Sequence, residues 1–485
     1  MERQITAKSH KILFFNTFAF TVCFAAWMLN GVLVTFLAEN QIFSWTPVQI
    51  GWLLGVPVLT GAVFRLPAGL LTDRFGGKPV FSILLFLSAF PMFLLSYADS
   101  YTAFILCSFG FGLTGASFAV GIAFTSVWYP RKWQGTALGI FGAGNLGAAL
   151  TTLFAPTLLT ALTQNGDNLD NWRQLPVLYA LILLATGVLF LLFTDNKKPA
   201  VNNKTLAQML APLKKTRVWR FGLFYFLVFG CFVAFSQWLV PYYVNVYYLP
   251  LITAGLLAST FSLPAGIIRA AGGWMSDRWG ANKVMRWVLG LSVITSLLLI
   301  VPKMEITSPG KGVMAKKSGI VTFVSDSLIS VGNVSYSLIL KGNHLDNADE
   351  RVLIFPAKDV WQQPVVQVGD EVSKKQLLAR GFTLIYFQAT IWVFVGLVIL
   401  LGSVWGIGSA AVYKFIPDFY PDEVGVVGGM VGVLGGLGGF FSPIIFGYLL
   451  EGIGVWTSCW MFILLLSAVC LIWLQKSTVD QQAAK

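Results

Sequence analysis

The sequence predicts an all-α polytopic membrane protein: twelve transmembrane helices in two pseudo-symmetric six-helix bundles, with a small β-rich extramembrane insertion between helices nine and ten. Three observations carry this prediction: an excess of apolar residues, their division into runs of membrane-spanning length, and an internal repeat interrupted once. Of the 485 residues, 56% are hydrophobic and 11% charged, more apolar surface than one water-soluble core would need. The runs cover roughly 12–38, 48–71, 79–97, 102–128, 134–162, 175–193, 221–247, 250–274, 283–302, 383–413, 424–450 and 455–475. About 20 apolar residues cross a hydrocarbon layer of about 30 Å as a helix. The first run exceeds a signal-peptide core and no A-x-A-like cleavage site follows it, so it is expected to stay as a helix.

Orientation follows from the basic residues of short loops. Segment 194–220 carries Lys197, Lys198, Lys204, Lys214, Lys215, Arg217 and Arg220 against the single Asp195, and Arg131 with Lys132 marks another basic turn. The connection "QNGDNLDNWRQ" (164–174) is acidic to neutral. The basic loops are expected in the cytoplasm and, with an even number of spans, so are both termini. The net charge of +12 then reports topology, and no basic patch with interleaved aromatics points to nucleic acid. Cys23, Cys107, Cys231, Cys459 and Cys470 all fall in apolar runs without a C-x-x-C pair and read as small core residues. His10 and His344 lie outside the membrane centre. No nucleophile and base pair, metal cluster or phosphate loop appears, so neither an enzyme nor a metal or cofactor is expected.

The repeat pairs "FRLPAGLLTDRFGGKPV" (64–80) with "IRAAGGWMSDRWGANKV" (268–284), so that Arg65, Gly69, Asp73, Arg74 and Gly76 align with Arg269, Gly273, Asp277, Arg278 and Gly280. A second pair aligns Gly144, Leu146 and Gly147 of "GAGNLGAAL" (142–150) with Gly435, Leu437 and Gly438 of "GVLGGLGGF" (432–440). The offset is 204 in the first pair and 291 in the second, so residues were added in between. From 303 to 381 there are ten Lys/Arg and eight Asp/Glu, with short β-type runs "GIVTFV", "SYSLIL", "RVLIF" and "PVVQV" separated by turns. The expected division is therefore a first bundle over 1–195, a cytoplasmic linker over 196–219, helices seven to nine over 220–302, an outward-facing β insertion over 303–381, helices ten to twelve over 382–476 and a cytoplasmic tail over 477–485.

Arg65 lies eight residues inside the run that ends at Asp73, about 12 Å along a helix. A charge at that depth costs roughly 2.5–3.5 kcal/mol on insertion scales. One arginine could snorkel to the interface, but a second at the equivalent depth of the other half argues against that. Acids occur only near span ends, at Glu39, Asp195 and Glu451. Two guanidinium groups held close in a low dielectric call for an anion between them, and the planar fork can give two parallel hydrogen bonds to a flat oxyanion where lysine cannot. Gly428, Gly432 and Gly436 recur at i, i+4 and i+8, and Gly144, Gly147 and Gly435 add to them. These positions are expected to let helix backbones approach and slide.

Twelve spans in two halves, with "GLLTDRFGGK" after the second and "GGWMSDRWGANK" after the eighth, resemble the major facilitator superfamily. The loop motifs Asp73–Arg74 and Asp277–Arg278 imply a gating role through ion pairs with loop arginines or helix ends, and their glycines a tight turn. Within that superfamily, "GASFAVGIAFTSVWYPRKWQGTALGIFGAGNLGAA" (115–149), "GVVGGMVGVLGGLGGFFSP" (425–443) and the arginine pair resemble the nitrate/nitrite porters of the NarK type. The resemblance implies nitrate and nitrite as substrates bound at mid-membrane by Arg65 and Arg269. It also assigns site positions to Asn145, Tyr225 and Phe229 of "YFLVFG", and Phe118. The segment 368–381, "VGDEVSKKQLLARG", is similar to barrel-sandwich domains related to lipoyl and biotinyl carriers. No prosthetic group is expected there; a docking or stabilising module, its protein partner unassigned, is. With no carboxylate or histidine in the span interiors, nitrate/nitrite exchange is expected in the bacterial cytoplasmic membrane. Nitrate/proton symport is the first alternative and a nitrate receptor signalling through the insertion the second.

Overall fold

The computed structural model describes residues 6–198, 214–300, 303–341, 357–388, 391–420 and 424–483. Within these, twelve helices are long and apolar enough to cross a membrane: α1 Ala7–Glu39, α2 Pro47–Phe75, α3 Gly77–Tyr97, α4 Tyr101–Trp128, α5 Ala137–Leu162, α6 Leu169–Phe193, α7 Thr216–Tyr247, α8 Leu251–Trp279, α9 Ala281–Leu299, α10 Ile391–Ile416, α11 Val427–Ile453 and α12 Ser458–Lys476. Large apolar side chains such as Phe90, Leu106, Leu192 and Leu465 stand exposed around them, a surface suited to lipid. The chain is an integral membrane protein with the predicted number of spans.

Buried polar groups inside the bundle compensate backbone defects. Pro57 has no N–H to give the Leu53 carbonyl, and Asn30 donates to that carbonyl at 2.7 Å instead. The entry of α2 is fixed by a capping box, with Thr46 accepting from the Gln49 N–H and Gln49 returning a bond to Thr46. Both repeated loops turn through glycine at positive φ, Gly76 at 89° and Gly280 at 83°, as the shared motif requires.

The two halves touch along α2 with α11 and along α5 with α8. A Cβ at Gly51 would collide with the Pro443 carbonyl, one at Gly55 would lie 2.7 Å from the Phe440 oxygen, and one at Gly436 2.6 Å from the Ala62 Cβ. Across the other seam, a Cβ at Gly255 would meet the Thr152 carbonyl and one at Gly266 the Leu146 side chain. Beyond that level the halves part. Gly69 and Gly273, one helical turn past the two arginines on the same faces, would place a Cβ in open space, as would Gly139 and Gly142. Because α1 crosses away from the N-terminus and α2 returns, the open end is the one that carries the chain termini.

The glycine expectation is thereby corrected in part. Gly144 packs on Phe20, Gly147 on the Thr21 backbone and Gly435 on the Tyr225 ring, so these are close-approach positions. Gly428 is not: its nearest neighbours, Ile416 and Tyr413, would sit at 3.8 Å from a Cβ, because α11 has already diverged from α2 there.

Residues 298–396 form a separate compact unit. Its strands are β1 Lys303–Met314, β2 Gly319–Val324, β3 Leu328–Val331, β4 Val334–Ser337, β5 Ala357–Pro364, β6 Glu371–Val372 and β7 Leu377–Gln388, arranged as antiparallel sheets β1-β7-β5 and β4-β3-β2-β6. "GIVTFV" is a strand as expected; "SYSLIL" keeps its strand only to Ser337, "PVVQV" has only Pro364 in one, and "RVLIF" lies outside the described residues. The tenth span begins at Ile391 rather than 383, because "FTLIYFQ" (382–388) pairs with β1 down to Lys303↔Gln388. A continuous apolar run gives no sign of where a buried strand hands over to a helix. The last helix, expected to end near 475 before a tail from 477, continues to Ala483, and most of the expected linker, 199–213, lies outside the described residues. The unit has its own core of Val321, Ile329, Val331, Val372, Leu378 and Ala379. Leu378→Ala should destabilise it by about 2–5 kcal/mol, seen as faster limited proteolysis inside 303–388 with the helices left intact.

Candidate functional site

Three spans leave regular α geometry at one depth. α4 passes through a 3-10 turn at Gly112–Ala116, α5 through another at Ala143–Leu146, and α7 through a π-turn at Phe226–Cys231. Such interruptions inside a membrane occur where protein or a cavity, not lipid, meets the backbone. Each one carries a group of the site: the Gly115 carbonyl, Asn145, and Phe229.

Arg65 is 5% exposed. Its Nη1 donates to the Gly432 carbonyl at 2.8 Å, and its Nε to that of Gly115 at 3.4 Å. Gly432 and Gly115 belong to opposite halves, so this side chain ties α11 to α2 and α4. Its Nη2 is buried without a hydrogen-bond partner among the described residues. Three rings flank the guanidinium, Phe118 at 5.3 Å, Phe229 at 5.4 Å and Trp27 at 5.9 Å. Thus Phe118 and Phe229 come together as expected, but around the arginine itself.

Arg269, partly exposed, donates through Nη2 to the Tyr225 hydroxyl at 3.2 Å. Tyr225 lies flat on Phe229, with centroids 4.8 Å apart and planes 3° from parallel. A small cavity opens beside Arg269, lined by Asn145, Phe229, Phe232, Ala265, Gly406 and Ser409 among others. The Asn145 oxygen is buried without a partner among the described residues. All six residues singled out by the sequence thus converge on one region. Among the described residues no carboxylate pairs with either arginine.

Two further residues join the site. Tyr413 of α10 packs edge-on against Tyr225 at 5.1 Å, and its hydroxyl and Arg65 Nη1 both lie beside Gly432, 3.3 and 3.9 Å from where a Cβ would stand. Ser409, one turn earlier, lines the cavity and donates to the Val228 and Trp405 carbonyls. Nothing in the sequence of α10 sets these two polar residues apart from Ser403 and Lys414 of the same span. Of the two partners expected for the loop motif, loop arginines or neighbouring helix ends, Asp277 takes a residue near a helix end, Lys414 of α10 at 2.8 Å, while Arg74 and Arg278 lie over Phe75 and Trp274.

The arrangement can bind a small anion, with N–H and O–H groups and, among the described residues, no carboxylate paired to the arginines. Sequence comparison decides the fold family: the profile described as Major Facilitator Superfamily matches residues 16–333. The chain belongs to the Major Facilitator Superfamily. It is therefore a transporter of that superfamily rather than an enzyme. It is 37% identical over 482 residues, 98% of this chain and 93% of the other, to a probable nitrate/nitrite antiporter, NarK1, of Thermus thermophilus. It is 26% identical to the nitrite extrusion protein of Bacillus subtilis (strain 168), covering 96% of this chain and 95% of that one. Among solved structures, a bacterial homolog of the human lysosomal transporter Spinster, inward-facing and occupied, superposes with a TM-score of 0.62 at 12% identity, over 98% and 97% of the two chains. That likeness speaks for the superfamily fold alone.

Proposed function

We propose that this protein moves nitrate and nitrite across the bacterial cytoplasmic membrane by alternating access, exchanging one for the other, with both termini in the cytoplasm. The observation that carries the reading is the pair of arginines, one from each half, with no carboxylate paired to them and one buried N–H without a partner among the described residues. The printed activities of the Thermus and Bacillus relatives supply the substrate class. In this reading Arg65 and Arg269 hold the anion, Asn145 and Tyr225 donate to its remaining oxygen, and Phe118 and Phe229 wall it in. Asp73, Arg74, Asp277 and Arg278 govern closure at the terminal side. The β unit, similar in part of its sequence to barrel-sandwich carrier domains, serves as a docking or stabilising module.

Exchange follows from charge. Closing the halves around two uncompensated guanidinium groups costs more than closing them around an anion. No carboxylate or imidazole in the span interiors is available to carry a coupled proton. Proteoliposomes preloaded with nitrite should take up external nitrate rapidly, and vesicles preloaded with chloride or nothing should not. Uptake into nitrite-free vesicles driven by a pH gradient would replace exchange with symport; nitrate binding with no flux in any loading would replace it with a receptor.

A further inference from the structure

We propose that Trp27 is a positioning residue for Arg65: its indole holds the irregular turn of α4 against α2, and that turn carries the carbonyl which aims the guanidinium at the substrate. The inference rests on the nitrate reading above and deepens it. α1 breaks at Met28, where φ is −92° and ψ is 1° between two regular stretches. Trp27 is the last residue before the break and is fully buried. Its Nε1 donates to the Pro57 carbonyl of α2 at 2.8 Å, so the ring cannot turn without giving up a buried hydrogen bond.

The ring presses on the crossing of α2 and α4. A Cβ at Gly61 would stand 2.8 Å from Trp27 Cζ2 and 2.9 Å from the Gly115 Cα, and one at Gly115 would stand 2.5 Å from Trp27 Cε2. A Cβ at Gly112 would lie 2.5 Å from the Pro57 oxygen. The two backbones thus meet through glycines, and the indole is the side chain packed against both.

This crossing supplies two groups to Arg65. The 3-10 turn at Gly112–Ala116 includes the Gly115 carbonyl that accepts from Arg65 Nε, and Phe118 follows it with its ring 5.3 Å from the guanidinium. The Gly115 bond is the longer of the two that hold Arg65, 3.4 Å against 2.8 Å to Gly432. A small shift of the turn therefore breaks it first. The guanidinium would then pivot on Nη1, and Nη2, which has no partner among the described residues, would lose its direction. Trp27 has no donor of its own for an anion, because its one N–H is spent on Pro57. It acts through Gly115.

The test measures nitrate uptake into nitrite-loaded vesicles, and nitrate binding in detergent, for wild type, Trp27→Phe and Trp172→Phe. Trp172 is a control, equally buried but at the start of α6. Trp27→Phe keeps a ring but drops the Nε1–H and the width of the indole. Its KM and its nitrate dissociation constant should rise about tenfold, as misplacement of a binding group does, with maximal flux per folded transporter largely kept. A merely structural role gives the reverse split, since loss of folded protein lowers maximal flux and leaves KM alone. Gly115→Ala, whose Cβ pushes the turn off the indole from the other side, should raise KM alike, and it supplies the reading if Trp27→Phe does not fold. Because both act on one turn, the double variant should be no worse than the worse single one. An unchanged KM in folded Trp27→Phe or Gly115→Ala, a KM raised equally in Trp172→Phe, or effects that multiply in the double variant would each overturn the role of Trp27. Failure of the wild type to bind nitrate at all would instead sink the nitrate reading, so the two failures are distinguishable.

Discussion

Arg65→Lys and Arg269→Lys, each made alone, should lower nitrate flux by about a hundredfold or more although the charge is retained. The structure gives the reason for Arg65 in three N–H directions. Nη1 and Nε are held by carbonyls of opposite halves, and Nη2 has no partner among the described residues. The two held directions aim the third, so the free N–H is placed before any anion arrives. A lysine ammonium is a compact point charge that cannot bridge both carbonyls and still reach a substrate in the same plane. At Arg269 the fork gives one N–H to Tyr225 and lies against the cavity with the rest. Losing one or two charge-assisted hydrogen bonds, about 1.5–3 kcal/mol each, corresponds to this magnitude. Flux in vesicles, normalised to protein that elutes as a single species, checks it. Wild-type rates in either variant would mean that charge alone suffices.

Much of this site was legible in the sequence because two signals coincide. Burying a cation in an apolar run is expensive, so an arginine that persists there needs a reason, and the duplication supplied a second at the matching depth. Arg65, Arg269 and the positive-φ glycines Gly76 and Gly280 follow from those signals. Asn145, Tyr225, Phe118 and Phe229 needed the family resemblance, since a single phenylalanine among 40 carries no positional information.

Three features were not legible. The π-turn at Phe226–Cys231 arises from packing of α7 against α11, where Gly230 meets Gly435 and Gly438 backbone to backbone, and no local propensity announces it. Tyr413 has no counterpart in the repeat. Strand β7 hides in an apolar stretch continuous with α10, and only its long-range pairing to β1 identifies it. In each case the deciding contact is distant in sequence.

The second large effect should come from Gly51→Leu. At this end of the molecule α2 and α11 approach backbone to backbone: Gly51 faces the Pro443 carbonyl, and Gly447 faces that of Pro47. A leucine at 51 has no space, and the neighbouring atoms are main chain that cannot rotate away, so overpacking of about 1–3 kcal/mol falls on the closed seam. The penalty applies only while this end is shut, so it shifts the balance toward the opposite state by roughly ten- to a hundredfold, rather than unfolding the bundle. Spin labels at Gln41 and Val455, in the loops bounding that end, should therefore move apart in Gly51→Leu, with flux reduced at least tenfold. Gly273→Leu makes the opposite case. A side chain there enters open space in this structure but, one turn past Arg269, obstructs closure of the terminal side, so flux should again fall while the Gln41–Val455 distance stays short. If both variants move that distance in the same direction, or neither slows transport, the two glycine positions do not belong to alternately closing seams.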